Sequence, residues 1–436
     1  MEGRDIMLDG NDNRLLEIHT LAYDHSRKLT LEEVLFLAKI ELAITPPPPS
    51  HTSSRAAAFF ADFHRSVMLE ARLYGFHPFS RLNESTLWTP SGSGSHRQGT
   101  ALQWVTRQLL AGIAPSSIIE TAHSQYAENG YDALEISKVS GIEVDDIVKI
   151  TEGYELWPHD KLPADARKIL LFDDVGAIFR TPNSCALVHH FRHNMVIDSD
   201  YQPSGVDMSK DRFGTSNMRR ANKRLEIQRA LILSTSGTVN MPFTYCRAAI
   251  DHIMDADGSY GGFLESAGFQ SETPNIDAVR ENLRLLEDFN VPAALHVAID
   301  RLGKARGLSS NVDKALDLGM ALEIALMHEN GNSGGGSGEI TYKLSSRAAW
   351  LLGKNPEERT QVFEKAKKIY GHRSAAAHSG RLKNESDFLS LDAHAFTTRI
   401  LREILQRGSF PVWHHLIFGV EGRTEAESDP PETTCS

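Results

Sequence analysis

Residues 313–327 read DKALDLGMALEIALM. Apolar side chains lie nearly all round a helix of this sequence, and such a helix has to be buried. It is therefore expected at the centre of a helical bundle. Upstream, a helix starts at Pro292, a favoured first-turn residue, and carries the i, i+4, i+7 stripe Leu295, Ile299 and Leu302. Downstream, the pattern predicts a helix over 341–352 with Leu344, Ala348 and Leu351 on one face and Gly353 at its end. Asn355-Pro356-Glu357-Glu358 is a helix start: a cap, a first-turn proline, then acids facing the helix dipole. That helix runs through Phe363, Ala366 and Ile369 toward His378. A last helix, near 391–406, stacks Phe396, Ile400 and Ile404 and is stopped by Gly408 and Pro411. Short connections between helices of this length favour antiparallel neighbours.

The rest of the chain carries weaker signals. The periodicity over 12–44, 55–75 and 99–157 suggests helices, as does 222–253. Residues 166–200 contain short apolar runs broken by Gly, Pro and Asn, which suggest a few strands. Three stretches read as loops: TPPPPSHTSS (45–54), TPSGSGSHR (89–97) and ENGNSGGGSG (329–338). The expected fold class is thus mainly α, a C-terminal antiparallel bundle after a mostly helical N-terminal region with a small β element. The expected regions are 1–160 (helical), 161–275 (mixed α/β), 276–418 (bundle) and 419–436 (a disordered acidic tail).

Composition narrows the function classes. The chain has 436 residues, with 46 basic and 57 acidic side chains and a net charge of -11. A generic polyanion binder is excluded, so any nucleic-acid contact needs a local basic patch. Cys185, Cys246 and Cys435 are scattered, with no disulfide framework and no paired-cysteine metal or redox spacing. No apolar run is long enough to span a bilayer and no signal peptide is visible, so a cytoplasmic protein with no membrane association is expected. There is no P-loop and no nucleophile-elbow motif. Residues 133–150, ALEISKVSGIEVDDIVKI, resemble a helix-turn-helix, but Glu143, Asp145 and Asp146 would open its reading helix against phosphate, so a plain helical hairpin is the better reading. HHFRH at 189–193 reads as strand, without the Cys or carboxylate set that zinc would need. No metal and no cofactor are expected.

The local basic patch is in the bundle. Segment 341–383 holds ten Lys or Arg against the acids Glu357, Glu358 and Glu364, a net of +7. It converges on Arg373 and His378, a fixed cation and a group able to titrate near neutral pH. Five helical steps of about 100° put these two about 140° apart, so either the helix distorts near Gly371 or a second chain completes the site.

LDLGMALEIAL, YKLSSRAAWLLG, NPEERTQVFEKAKKIY and HRSAAAHSG occur in this order over about 120 residues. As a set they resemble the HEPN domain family, most of all its Apea-like subgroup, associated with defence against phage. The resemblance implies an R-x4-6-H catalytic motif at Arg373 and His378. Many active members place Asn, Asp or His directly after the Arg, where this chain has Ser374. It also implies metal-independent RNA cleavage, a homodimer through the C-terminal bundle, and an N-terminal region receiving a phage or regulatory trigger. His378 would move the proton and Arg373 would hold the phosphate. Lys367, Lys368 and Ser374 would support the substrate. Tyr370 could stack a base, although at its helical spacing a core position is the more ordinary place for it. Asp317 and Glu323 would either orient Arg373 and the substrate or pair with Arg347 or Arg373 for stability. The alternative function is a non-catalytic module that binds RNA or nucleotide, or a dimerisation scaffold.

Overall fold

The computed structural model describes residues 28–44, 63–84, 86–89, 92–95, 100–128, 130–170, 185–193, 196–198, 212–254, 258–261, 271–290, 292–328 and 340–418. The proline-rich stretch 45–54, the Gly-rich stretch 329–338 and the acidic tail lie outside them.

The chain opens with helices α1 (Leu31–Ile44), α2 (Phe63–Leu73) and α3 (Phe79–Glu84), strands β1 (Thr86–Thr89) and β2 (Gly92–Ser95), then α4 (Thr100–Leu110) and α5 (Pro115–Ala127). The middle holds β3 (Tyr131–Val139), β4 (Val148–Thr151), β5 (Tyr154–Pro158), α6 (Ala164–Ile169), β6 (Cys185–His193), β7 (Val196–Asp198), α7 (Arg212–Ser234), β8 (Phe243–Ala248) and β9 (Gly258–Gly261). The last part is helical: α8 (Ile276–Asp288), α9 (Pro292–Gly307), α10 (Asn311–Met327), α11 (Ile340–Leu352), α12 (Pro356–Ser379), α13 (Glu385–Ser390), α14 (Ala393–Gln406) and α15 (Trp413–Phe418). The described chain is mostly helical with antiparallel β pairing, in line with the coarse fold class expected from sequence. Strand orders are β2-β1-β7 and β4-β5-β6-β3-β8-β9.

Two compact units divide the chain, and neither is continuous: Met1–Ile136 with Val188–Asn217 and Thr244–Gly261, and Ser137–Leu187 with Met218–Phe243 and Gly262–Ser436. The first is built on α1, α2, α4 and α5, which pack on one another around Leu35, Leu73, Phe79, Leu102 and Trp104. Asp251 is tied to α4 by Arg107 at 2.8 Å and by Gln108 at 2.7 Å.

The second unit contains the bundle. α10 is its centre and packs against α9, α11, α12 and α14. Ala315, Leu318, Ala321, Leu322, Ala325 and Leu326 are all fully buried there. Every expected bundle helix is present within two residues of its expected ends, because each start and stop has a physical cause. Asn275, Ser310, Asn355, Asn384 and Asp392 each accept a backbone N–H at the start of a helix. Gly380 ends α12 in the left-handed conformation at φ 64°. Two arginines join α7 to the bundle. Arg306 donates to the Ile232 carbonyl at 2.7 Å, and Arg402 donates to the Leu233 carbonyl, so cations meet the negative end of the α7 dipole. Burial pulls Arg306 down to about 10.

Four readings need correction. Residues 131–158 form strands β3, β4 and β5 rather than a helical hairpin, which removes the helix-turn-helix resemblance. β3 is buried on both faces, so it lacks the alternation that marks a half-exposed strand. Gly141 supplies the turn after it, with φ 82°, where a Cβ would meet the Thr238 carbonyl oxygen at 1.7 Å. Residues 243–248, FTYCRA, are strand because they are rich in β-formers, and α7 stops at Ser234. Gly92–Ser95, expected as loop, is a strand paired with Thr86–Thr89, since ladder hydrogen bonds need no side chains. Finally, α12 does not distort. It is helical through Gly371 to Ser379.

Candidate functional site

Arg373 lies where α12 crosses α10. Its stem packs on Gly319 of α10: a Cβ at Gly319 would stand 2.2 Å from Arg373 Cγ. The missing side chain lets the arginine stem lie across the helix. From there Arg373 Nη2 reaches Glu323 Oε2 at 3.0 Å. The Tyr370 hydroxyl donates to the same oxygen at 3.2 Å, and the Arg373 guanidinium sits 5.4 Å from the Tyr370 ring centre. Glu323 is thus the hub of a three-residue group. Burial, first, and the Glu323 charge, second, push the Tyr370 hydroxyl pKa up, so it remains a donor. Arg373 Nε–H is buried and has no hydrogen-bond partner among the described residues.

His378 is exposed, one residue before the end of α12. Because the helix is regular there, Arg373 and His378 stay about 140° apart around it. One chain does not bring them together. Ser374 is half-buried beside Arg373, and Lys367 and Lys368 are exposed. Lys367 lies 4.0 Å from Glu364. Tyr370 is only 6% exposed, with its hydroxyl on Glu323, so it presents no face to a base.

Asp317 belongs to a different face of α10. It is buried and holds Arg301 at 2.8 Å and Lys304 at 3.3 Å, both on α9. It touches neither Arg347 nor Arg373 as expected from sequence, because six helical steps turn it about 120° away from Glu323. Arg347 instead donates to the Leu326 carbonyl at 2.8 Å and stacks 5.0 Å from Trp413, closing the C-terminal end of α10.

His372 was not singled out by the sequence. It is 3% exposed, its Nε2 lies 3.0 Å from Asp387 Oδ2, and its ring packs edge-on against Phe388. It fastens α13 to α12. A histidine one position before Arg373, on the buried stripe through Ile369 and Ala376, was the available signal.

His189 and His193 lie in β6, as the strand reading expected. No group of three or more His, Cys, Asp or Glu side chains that could hold a metal occurs among the described residues. No described helix is long and apolar enough to cross a membrane. No family model, no curated protein and no solved structure matches the chain.

Proposed function

We propose that this protein is a metal-independent endoribonuclease, an effector of a phage-defence or toxin-type system, acting through Arg373 and His378. The observation that carries the reading is the Glu323–Arg373–Tyr370 group. A guanidinium is held in place by a carboxylate, within a segment of net +7 in an acidic chain, on the same helix as an exposed histidine. Arg373 grips the scissile phosphate and offsets charge that develops on it. The substrate's 2′-hydroxyl oxygen attacks phosphorus, and the bond to the 5′-oxygen breaks. His378 carries a proton, either from the 2′-hydroxyl or to the departing 5′-oxygen. Products are a 2′,3′-cyclic phosphate and a 5′-hydroxyl, and DNA is not cut. Glu323 acts as a positioning residue. Since α12 keeps Arg373 and His378 on different faces, each site uses Arg373 of one copy and His378 of another in a homodimer formed through the bundle. Residues 1–275 receive the trigger, and the setting is cytoplasmic.

A second reading has its own support. Arg373 is already ion-paired within the chain, which suits a non-catalytic module that binds RNA or nucleotide, or a dimerisation scaffold. Incubating the purified protein with tRNA, mRNA and rRNA in EDTA, with and without phage components, separates the two. Cleavage by wild type that is lost in His378→Ala supports the enzyme. No cleavage of any RNA supports the module.

A further inference from the structure

Tyr370 is unable to stack a base, yet about two turns earlier on the same helix half-buried Phe363 meets an exposed tyrosine of α11. Tyr342, near the start of α11, is 70% exposed, an unusual position for a large ring. Its ring meets Phe363 of α12 edge to face, with centres 5.6 Å apart and planes at 67°. Phe363 is half-buried, so it forms the fixed floor against which Tyr342 is held. The Lys367 ammonium lies 5.9 Å from the Phe363 ring. A positioned ring beside a cation is the combination that single-stranded nucleic acids use: bases stack on the ring and the charge follows the backbone.

The position on α12 is informative. Taking Phe363 as zero, Lys367, Ser374 and His378 fall at about 40°, 20° and 60° around the helix, so all four share one face. Phe363 and His378 are fifteen residues apart, about 22 Å along the axis. That is the span of a few nucleotides of extended strand.

We propose that Tyr342, backed by Phe363 and Lys367, is a stacking platform for an unpaired base of single-stranded RNA, which the exposed face of α12 then leads toward His378. The charge of the surrounding segment, +7 over 341–383, selects a polyanion over an apolar peptide or a second copy of the acidic chain. This inference rests on the proposed RNA substrate, and it adds the strand's path and its single-stranded character.

The test separates binding from cutting. The probe is a fluorescent single-stranded 2′-O-methyl RNA carrying one 2-aminopurine, which cannot be cleaved by 2′-hydroxyl attack. Tyr342→Ala should weaken binding roughly 10- to 100-fold and abolish the 2-aminopurine quench. Tyr342→Leu should be as weak as Ala, and Tyr342→Trp should bind at least as well as wild type. At 70% exposure none of these changes should affect folding, which thermal melts would check. Wild-type affinity in Tyr342→Leu would overturn stacking in favour of a plain apolar contact. Failure of wild type to bind the probe, or equal affinity for duplex RNA, would overturn the platform outright. If the platform binds but wild type cuts no RNA, the enzyme reading falls and the platform stands. If cleavage by Tyr342→Ala keeps wild-type kcat and KM, the platform falls and the enzyme stands.

Discussion

Replacing Gly319 by Ala should destabilise the bundle by about 1–2 kcal/mol, although Ala is the better helix former. Helix propensity alone would favour Ala by about 1 kcal/mol. Against that, the new Cβ would lie 2.2 Å from Arg373 Cγ and 2.4 Å from Arg373 Cβ. These atoms are the root of the side chain, so a rotamer change can relieve the first contact and leaves the second. The two helices have to part, and such overpacking costs about 1–3 kcal/mol. Moving Arg373 also takes its guanidinium off Glu323. Both side chains are partly exposed, so that loss adds under about 1 kcal/mol. Urea denaturation followed by circular dichroism would read the shift in midpoint. A second background sharpens the test. Arg373→Gly removes both clashing atoms, and there Gly319→Ala should be stabilising by about 1 kcal/mol, a reversal of sign within one mutant cycle. A Gly319→Ala protein more stable than wild type would refute the close approach of α10 and α12, and with it the placement of Arg373.

Other outcomes follow from single contacts. Asn355→Ala should cost about 1 kcal/mol in the same denaturation assay, because Asn355 and Glu358 cap the first turn of α12 reciprocally, with Glu358 N–H on Asn355 at 2.8 Å. His252 and His394 are pushed down, mainly by burial, from about 6.5 to about 4. Each stays neutral when folded and takes a proton when unfolded, so stability should be flat above about pH 6.5 and fall toward pH 4, by roughly 2 kcal/mol per residue at pH 5. His394→Gln should remove its share of that slope. In an RNA-cleavage assay Arg373→Lys should fail as Arg373→Ala does, since an ammonium lacks the planar two-point grip on phosphate. Full activity of the Lys variant would reduce Arg373 to a charge in a binding surface.

The bundle was legible because its signals are local. Asn355-Pro356, the stripes on α9 and α14, and Gly408 each act within a few residues, and each is where the sequence put it. The strands were less legible because their signals are not local. β3 is buried on both faces by neighbours distant in sequence, and its alternation disappears. β2 has only Gly and Ser, and its pairing comes from β1 rather than from its own side chains. At the candidate site, Arg373 and Glu323 could be named from sequence and their pairing stood among the alternatives, yet what selects it was not legible. The pairing depends on Gly319, a glycine inside a helical apolar run, which leaves the space that the Arg373 stem occupies. Asp317 shows the converse: an acid on the same helix, six residues away, that serves α9 instead. Tyr370 is closed onto Glu323, as its helical spacing suggested, whereas Tyr342 is open.

The regular geometry of α12 makes the proposed composite site testable by mixing. Five positions apart on an undistorted helix, Arg373 and His378 of one copy point about 140° apart and cannot both reach one phosphate. In a two-fold dimer, a site built from Arg373 of one copy and His378 of the other occurs twice. Arg373→Ala has no intact site, and neither has His378→Ala. A mixed dimer of the two has one site with both residues intact, Arg373 from the His378→Ala copy and His378 from the Arg373→Ala copy, and one site with neither. Denaturing and refolding the two variants together in equal amounts makes about half the dimers mixed, so about a quarter of wild-type cleavage should return. Each variant refolded alone should stay inactive. If the mixture also stays inactive while wild type refolds to full activity, with mixed dimers confirmed by differently tagged copies, then each site draws both residues from one chain. α12 would then have to unwind on binding RNA, and the composite arrangement would be wrong.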